Sequence, residues 1–133
     1  MGFAQQLELE DRDFYQKAIQ NPDGEAQKAL FDALAKDADK HVKLIERTRR
    51  ENVTEMILEP IRDFTRAPFC EGFGQVEKMS ASELVESARC REDRARRYYV
   101  EAAEKIKALR EVSRVLKRIG KKRQAHVDTL TAL

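Results

Sequence analysis

Apolar positions recur at helical spacing through most of the chain, and four segments follow the 3.6-residue period. In residues 4–20, Leu7, Phe14 and Ala18 form an apolar stripe, with Leu9 and Ile19 at its margins. The run Asn21-Pro22-Asp23-Gly24 is a strong turn signal and ends that helix. A second helix is predicted over 25–51, with Ala26, Leu30, Ala33 or Leu34, His41 and Leu44 or Ile45 on its inner face. Residues 52–79 break the period and hold Pro60, Pro68, Gly72 and Gly74. Ser80 followed by Glu83 fits a capping box and opens a third helix over 80–107. A fourth helix is predicted over 110–131, with Gly120 inside it at a helical cost of about 1 kcal/mol. A glycine there points to the close approach of a neighbour.

The predicted fold is all-α. A break as long as 52–79 in a small helical chain predicts a crossover: helices two and three run parallel, and the connection spans the length of the bundle. A helix of 27 residues is about 40 Å long, within reach of such a connection. At 133 residues one domain is expected, covering 1–133.

The two halves of the chain repeat one pattern. Glu8 is followed by Phe14-Tyr15, Ala18 and His41-Val42; Glu92 is followed by Tyr98-Tyr99, Ala102 and His126-Val127. The step from Glu to the aromatic pair is six residues in both, and the step from Glu to His is 33 and 34. Duplicated helix pairs of this kind place their matching residues at the centre of a bundle. Here those residues are glutamate and histidine, both metal ligands.

On these segments, together with Leu34-Ala35-x5-His41 and Ile119-Gly120-x5-His126, the chain resembles the ferritin-like superfamily, in its rubrerythrin-like branch. The resembling segments lie on all four long helices, about three quarters of the chain. The resemblance implies a left-handed four-helix bundle with a long crossover. It also implies two irons, held by one Glu from each of helices one and three and a Glu-x-x-His pair from each of helices two and four. Family members use such irons to reduce peroxide or to oxidise and store iron. By position Glu8 and Glu92 match the single carboxylates, His41 and His126 match the histidines, and Tyr15 and Tyr99 are the aromatics beside the site.

The chain departs from that pattern at two places. Three residues before His41 stands Ala38, and three before His126 stands Arg123, where the family carries bridging glutamates. Without them each iron keeps one Glu and one His, and Arg123 starts on the face of His126, one turn away. Arg123 is therefore expected to turn inward and pair with Glu92, Glu8 or both. Asp37 and Asp39 are each rotated about 100° from Ala38 and are expected to face water or the flank of a neighbouring helix. Asp11 and Asp93 lie near the two glutamates.

Three functions follow from these readings. The leading one is a degenerate rubrerythrin-like bundle that has lost two-iron chemistry, needs no cofactor, and serves a structural or interaction role with a protein partner. The second is a residual oxidoreductase, in which Glu8, His41, Glu92 and His126 hold iron or another divalent metal at low occupancy. The third is anion or nucleic-acid binding by the basic C-terminal half.

Charge bears on the third reading. The net charge is +2, but residues 1–87 carry 12 basic and 18 acidic groups, and residues 88–133 carry 14 and 6. The basic residues of the second half alternate with acids at helical spacing, which favours packing against acidic helices. The arginines at 89, 91, 94, 96 and 97 spread around more than half of a helix and have no stacking aromatics among them, so nucleic acid is not the expected partner. A homodimer through a helix pair is expected instead. No stretch reaches the roughly 20 apolar residues that span a bilayer, and no secretory signal is seen, so no membrane contact and a cytoplasmic home are the default expectations. Cys70 and Cys90 have no CxxC partner and are expected to be buried or idle thiols, with a disulfide as the alternative.

Overall fold

The computed structural model describes residues 2–52 and 76–133. Four α-helices make up nearly all of it: α1 (Gly2–Gln20), α2 (Lys28–Asn52), α3 (Ala81–Lys105) and α4 (Arg110–Thr131). There is no strand among the described residues. The all-α expectation holds. The body of the 52–79 connection, residues 53–75, lies outside the described residues.

Helix boundaries follow local chemistry. Ser80 caps α3 as its sequence predicted: its hydroxyl accepts from Glu83 N, and the Glu83 carboxylate accepts from Ser80 N, both at 3.2 Å. The second helix starts three residues later than the periodicity suggests. Pro22–Gln27 winds as a 3-10 turn before α2 begins, because Pro22 fixes φ and withholds its N–H. Asn21 serves both ends of this region. Its Nδ2 donates to Val76 O at 2.8 Å and to Met79 O at 2.9 Å, tying the end of α1 to the entry of α3.

α1 packs chiefly on α2 and α3 chiefly on α4, and thinner contacts join α2 to α4 and α1 to α3. The apolar core falls into two clusters. One gathers Leu7, Ile45, Tyr98, Ile106, Leu116 and Ile119; the other gathers Phe14, Phe31, Leu34, Leu84 and Leu130. In the second cluster Tyr15 stacks on Phe31 with ring centroids 5.9 Å apart. A belt of buried polar groups accompanies them: Glu8, Asp11, His41, Glu92, Arg94, Arg123 and His126. Cys90 corrects the expectation of an idle thiol, since it is disulfide-bonded. No helix among the described residues is long and apolar enough to cross a membrane.

Gly120 lets α3 and α4 come together. A Cβ at this position would stand 3.2 Å from Tyr99 Cβ. Tyr99 has little room to give, because its Cβ is fixed to the helix and its hydroxyl is anchored on Glu8 at 2.6 Å. Overpacking of this kind costs about 1–3 kcal/mol, against about 1 kcal/mol gained in helix propensity. Gly120→Ala is therefore expected to lose about 1 kcal/mol in a urea titration; a gain in stability would show that the contact relaxes freely.

Candidate functional site: a buried ionic cluster

Every helix sends polar side chains to one place. α1 supplies Glu8 and Asp11, three residues apart and thus on one face; α2 supplies His41 and Asp37; α3 supplies Glu92; α4 supplies Arg123 and His126. Glu8, Asp11 and Glu92 are fully buried, and Arg123 is 1% exposed.

Arg123 sits among the three acids. Its Nη1 donates to Glu92 Oε2 at 2.7 Å, and its Nη2 donates to Glu8 Oε2 at 2.7 Å. Nε also donates to Glu8 Oε2, at 3.2 Å. Nη2 lies 3.1 Å from Asp11 Oδ2, an ionic contact outside hydrogen-bond geometry. The inward pairing expected of Arg123 is thus seen with both glutamates, and Asp11 is a third carboxylate on the same cation.

The repeated halves interlock here. Tyr15 Oη donates to Glu92 Oε1 at 2.7 Å, and Tyr99 Oη donates to Glu8 Oε2 at 2.6 Å. Each tyrosine stands seven residues after the glutamate of its own half yet bonds to the glutamate of the other. His41 Nδ1 donates to Glu8 Oε1 at 3.0 Å. His126 lies between two acids, with Nε2 donating to Asp37 Oδ2 at 2.9 Å and Nδ1 3.3 Å from Glu92 Oε2. All four glutamate oxygens therefore already face a donor.

The electrostatics follow the geometry. Burial by itself would raise the pKa of Glu92, but Arg123 and His126 outweigh it and hold the group at about 2. Burial likewise opposes ionisation of Glu8, and Arg123, His41 and Tyr99 overcome it, so its pKa is lowered. Asp11 comes out the other way. Its burial, with Glu92 and Glu8 nearby, exceeds the help from Arg123 and Arg91 and lifts it to about 6. Burial and the adjacent carboxylates push Tyr15 and Tyr99 well above the ordinary phenol range. Burial lowers His126, but Glu92 and Asp37 more than compensate and raise it. Arg123 stays charged: the surrounding carboxylates outweigh its desolvation and raise its pKa.

Two acids play larger parts than the sequence suggested. Asp37 takes the second of its expected positions, against a neighbouring helix: it reaches α4 and bonds His126, with Lys122 3.7 Å from the same oxygen. The four-residue step from Asp37 to His41 was the available signal, since it puts both on one side of α2. Asp11 joins the cluster directly, against Arg123, and its three-residue step from Glu8 carried that information. Asp39 and Asp93 stay on the flanks, pairing with Arg12 and Lys43 and with Arg96 and Arg97 respectively. The arginines of α3 are matched to acids: Arg89 with Glu86, Arg91 and Arg94 with Asp11. Arg94 is buried, and Arg91 lies over the Phe14 ring at 4.5 Å. Ala38 is buried at the position matching Arg123, where its small side chain leaves the centre to the guanidinium.

Side chains of metal-ligating type meet only in pairs here, Glu8 with His41, Glu92 with His126 and Asp37 with His126. Among the described residues no three or more His, Cys, Asp or Glu side chains are grouped so as to hold a metal ion. Comparison with known protein families, curated proteins and solved structures finds no match to this chain.

Removing Arg123 would leave buried carboxylates without their counter-charge. Arg123→Ala is expected to lose roughly 3–5 kcal/mol of unfolding free energy in chemical denaturation. A loss under about 0.5 kcal/mol, the range of ordinary surface substitutions, would contradict the burial of this pair.

Stability should also depend on pH. For Glu92, and in the same sense Glu8, the folded pKa is depressed. Their contribution is present above the ordinary value of 4.5 and is lost as pH falls toward about 2. For Asp11 the folded pKa is raised, so its contribution is present below 3.8 and is lost as pH rises through about 6. His126, also raised, contributes below 6.5 and loses that contribution as pH rises through its folded value. The urea midpoint is expected to peak at about pH 5, to fall steeply below pH 4 and to decline toward pH 8. A midpoint that rises steadily from pH 5 to pH 8 would contradict these assignments.

Proposed function

We propose that this chain is a ferritin-like, rubrerythrin-related bundle in which an arginine has taken the place of two-metal chemistry. Its role is structural and interactive, with no oxidoreductase activity at its centre. The observation that carries the reading is the Arg123 guanidinium between Glu8 and Glu92.

Support for the bundle comes from the helix pairing and from Asn21. α1 packs on α2 and α3 on α4, each pair through a short connection, while Asn21 ties the end of α1 to the entry of α3. An α3 that begins beside the end of α1 suits a bundle whose second and third helices are joined by a long crossover.

Support for the loss of metal comes from charge and donor atoms. Two divalent irons need carboxylates to neutralise them in a dry interior. Ala38 and Arg123 stand at the positions of the two bridging acids, and Arg123 adds a cation that cannot be deprotonated. The remaining glutamate oxygens are engaged by Arg123, both tyrosines and the histidines. These residues do not suit a two-iron centre.

The test is anaerobic addition of ferrous iron, removal of the excess, and elemental analysis. The expected result is well under two irons per chain. Ala38→Glu with Arg123→Glu, which returns both bridging acids, is expected to increase bound iron. Two tightly held irons in the unaltered chain, with an oxo-bridged absorption band after exposure to oxygen, would overturn the proposal.

A further inference from the structure

The α2 and α4 faces that meet on one side of the molecule form a groove of about 1350 Å³. Eleven lysines and arginines line it, against one carboxylate, Asp37. On α4, Arg110, Arg114, Lys117 and Lys121 follow the i, i+4, i+7, i+11 spacing of a single helix face. On α2, Lys40, Lys43, Arg47 and Arg50 follow i, i+3, i+7, i+10. No single helix presents this surface; the fold assembles it by placing two basic stripes side by side.

These charges are not used as the arginines of α3 are used. Among the described residues, the four α4 cations make no ion pair, and neither do Lys40 and Arg50. Lys43 and Arg47 pair only with exposed acids of their own helix, Asp39 at 3.2 Å and Glu51 at 3.9 Å. Lys107 pairs with Glu104 and Lys122 with Asp37, but so many like charges against so few acids raise the local potential and call for an external polyanion.

We infer that this groove binds a single strand of nucleic acid through its phosphates. An acidic protein surface fits less well. Protein interfaces are anchored by apolar and aromatic side chains in a desolvated centre, and the large exposed hydrophobics among the described residues, Val100 and Leu133, both lie outside the groove. A duplex is too broad to enter a channel between neighbouring helices. No Phe, Tyr or Trp lines the groove, and its one imidazole, His41, is bonded to Glu8, so the strand is held by its phosphates and not by stacked bases. The α4 stripe is about 16 Å long, enough for roughly five phosphates.

The groove gives content to the interaction role proposed above, and the two readings can fail separately. Iron in the core would leave the groove as it is, and loss of strand binding would leave the ionic core as it is. The experiment uses the full chain and a fluorescein-labelled oligothymidylate of 20 nucleotides, followed by anisotropy between 50 and 200 mM salt. Five phosphates give a logarithmic salt slope of about −3.5, so affinity should fall about 130-fold over that range. Lys117→Glu with Lys121→Glu should weaken binding at least tenfold. Arg89→Glu with Arg97→Glu, an equal charge change on α3 outside the groove, should stay within twofold. Circular dichroism on both variants checks that the helices are kept. The inference is overturned by absence of salt-sensitive binding at 50 mM salt. Equal losses in the two variants, or polyglutamate of the same length binding as tightly as the oligonucleotide, would overturn it as well.

Discussion

One guanidinium shared among three buried carboxylates is the constraint on which the rest of the interior depends. Taking Glu8, Asp11 and Glu92 out of water carries a penalty of several kcal/mol for each charge, and nothing apolar in the bundle offsets that locally. Arg123 makes the arrangement tolerable by giving Glu8 and Glu92 direct hydrogen bonds and Asp11 a close positive charge. The compensation is uneven. The glutamates stay ionised, while the aspartate, with the poorest geometry toward the cation, is left near pKa 6. The cluster touches all four helices, so it joins the α1–α2 pair to the α3–α4 pair where backbone contacts between pairs are thin.

The frame around this cation is nearly two-fold in its chemistry, and the departures from symmetry are what let the cation fit. Tyrosines cross between halves onto the opposite glutamates, and each glutamate keeps its histidine. A second guanidinium opposite the first would crowd the centre, and the small, buried Ala38 stands there instead. Asp11 has no acidic counterpart either, since the residue three after Glu92 is Ala95. Buried ion pairs are often no more stabilising than apolar residues of the same volume, and their best-attested use is to specify one arrangement among several. A network with partners on every helix penalises any register in which a carboxylate loses its donor.

Much of this was legible in the residues themselves. The repeated spacing located Glu8, Glu92, His41, His126 and both tyrosines, because a period in sequence becomes a shared face in a bundle. Arg123 could be turned inward from its distance to His126 alone. Ser80 and Gly120 gave the start of α3 and its close approach to α4. Asp37 was harder to place: its rotation around α2 left solvent and a neighbouring helix both open, its four-residue step to His41 gave only the side of α2, and the position of α4 decides for His126. The basic groove was illegible for the same kind of reason. Each stripe reads as a solvated helix face until the fold sets α2 beside α4. The 3-10 turn after Pro22 shortened α2 through local backbone geometry that hydrophobic period does not record.

The most direct measurement is a double-mutant cycle between the cation and its best-placed acid, using Glu8→Gln, Arg123→Met and the two together, with unfolding free energies from denaturant titration at one pH. If the interior is held as described, removing either charge strands the other, and the coupling between the sites should reach about 2 kcal/mol or more. Losses that simply add, to within about 0.5 kcal/mol, would mean the two groups do not share their charge in the folded protein.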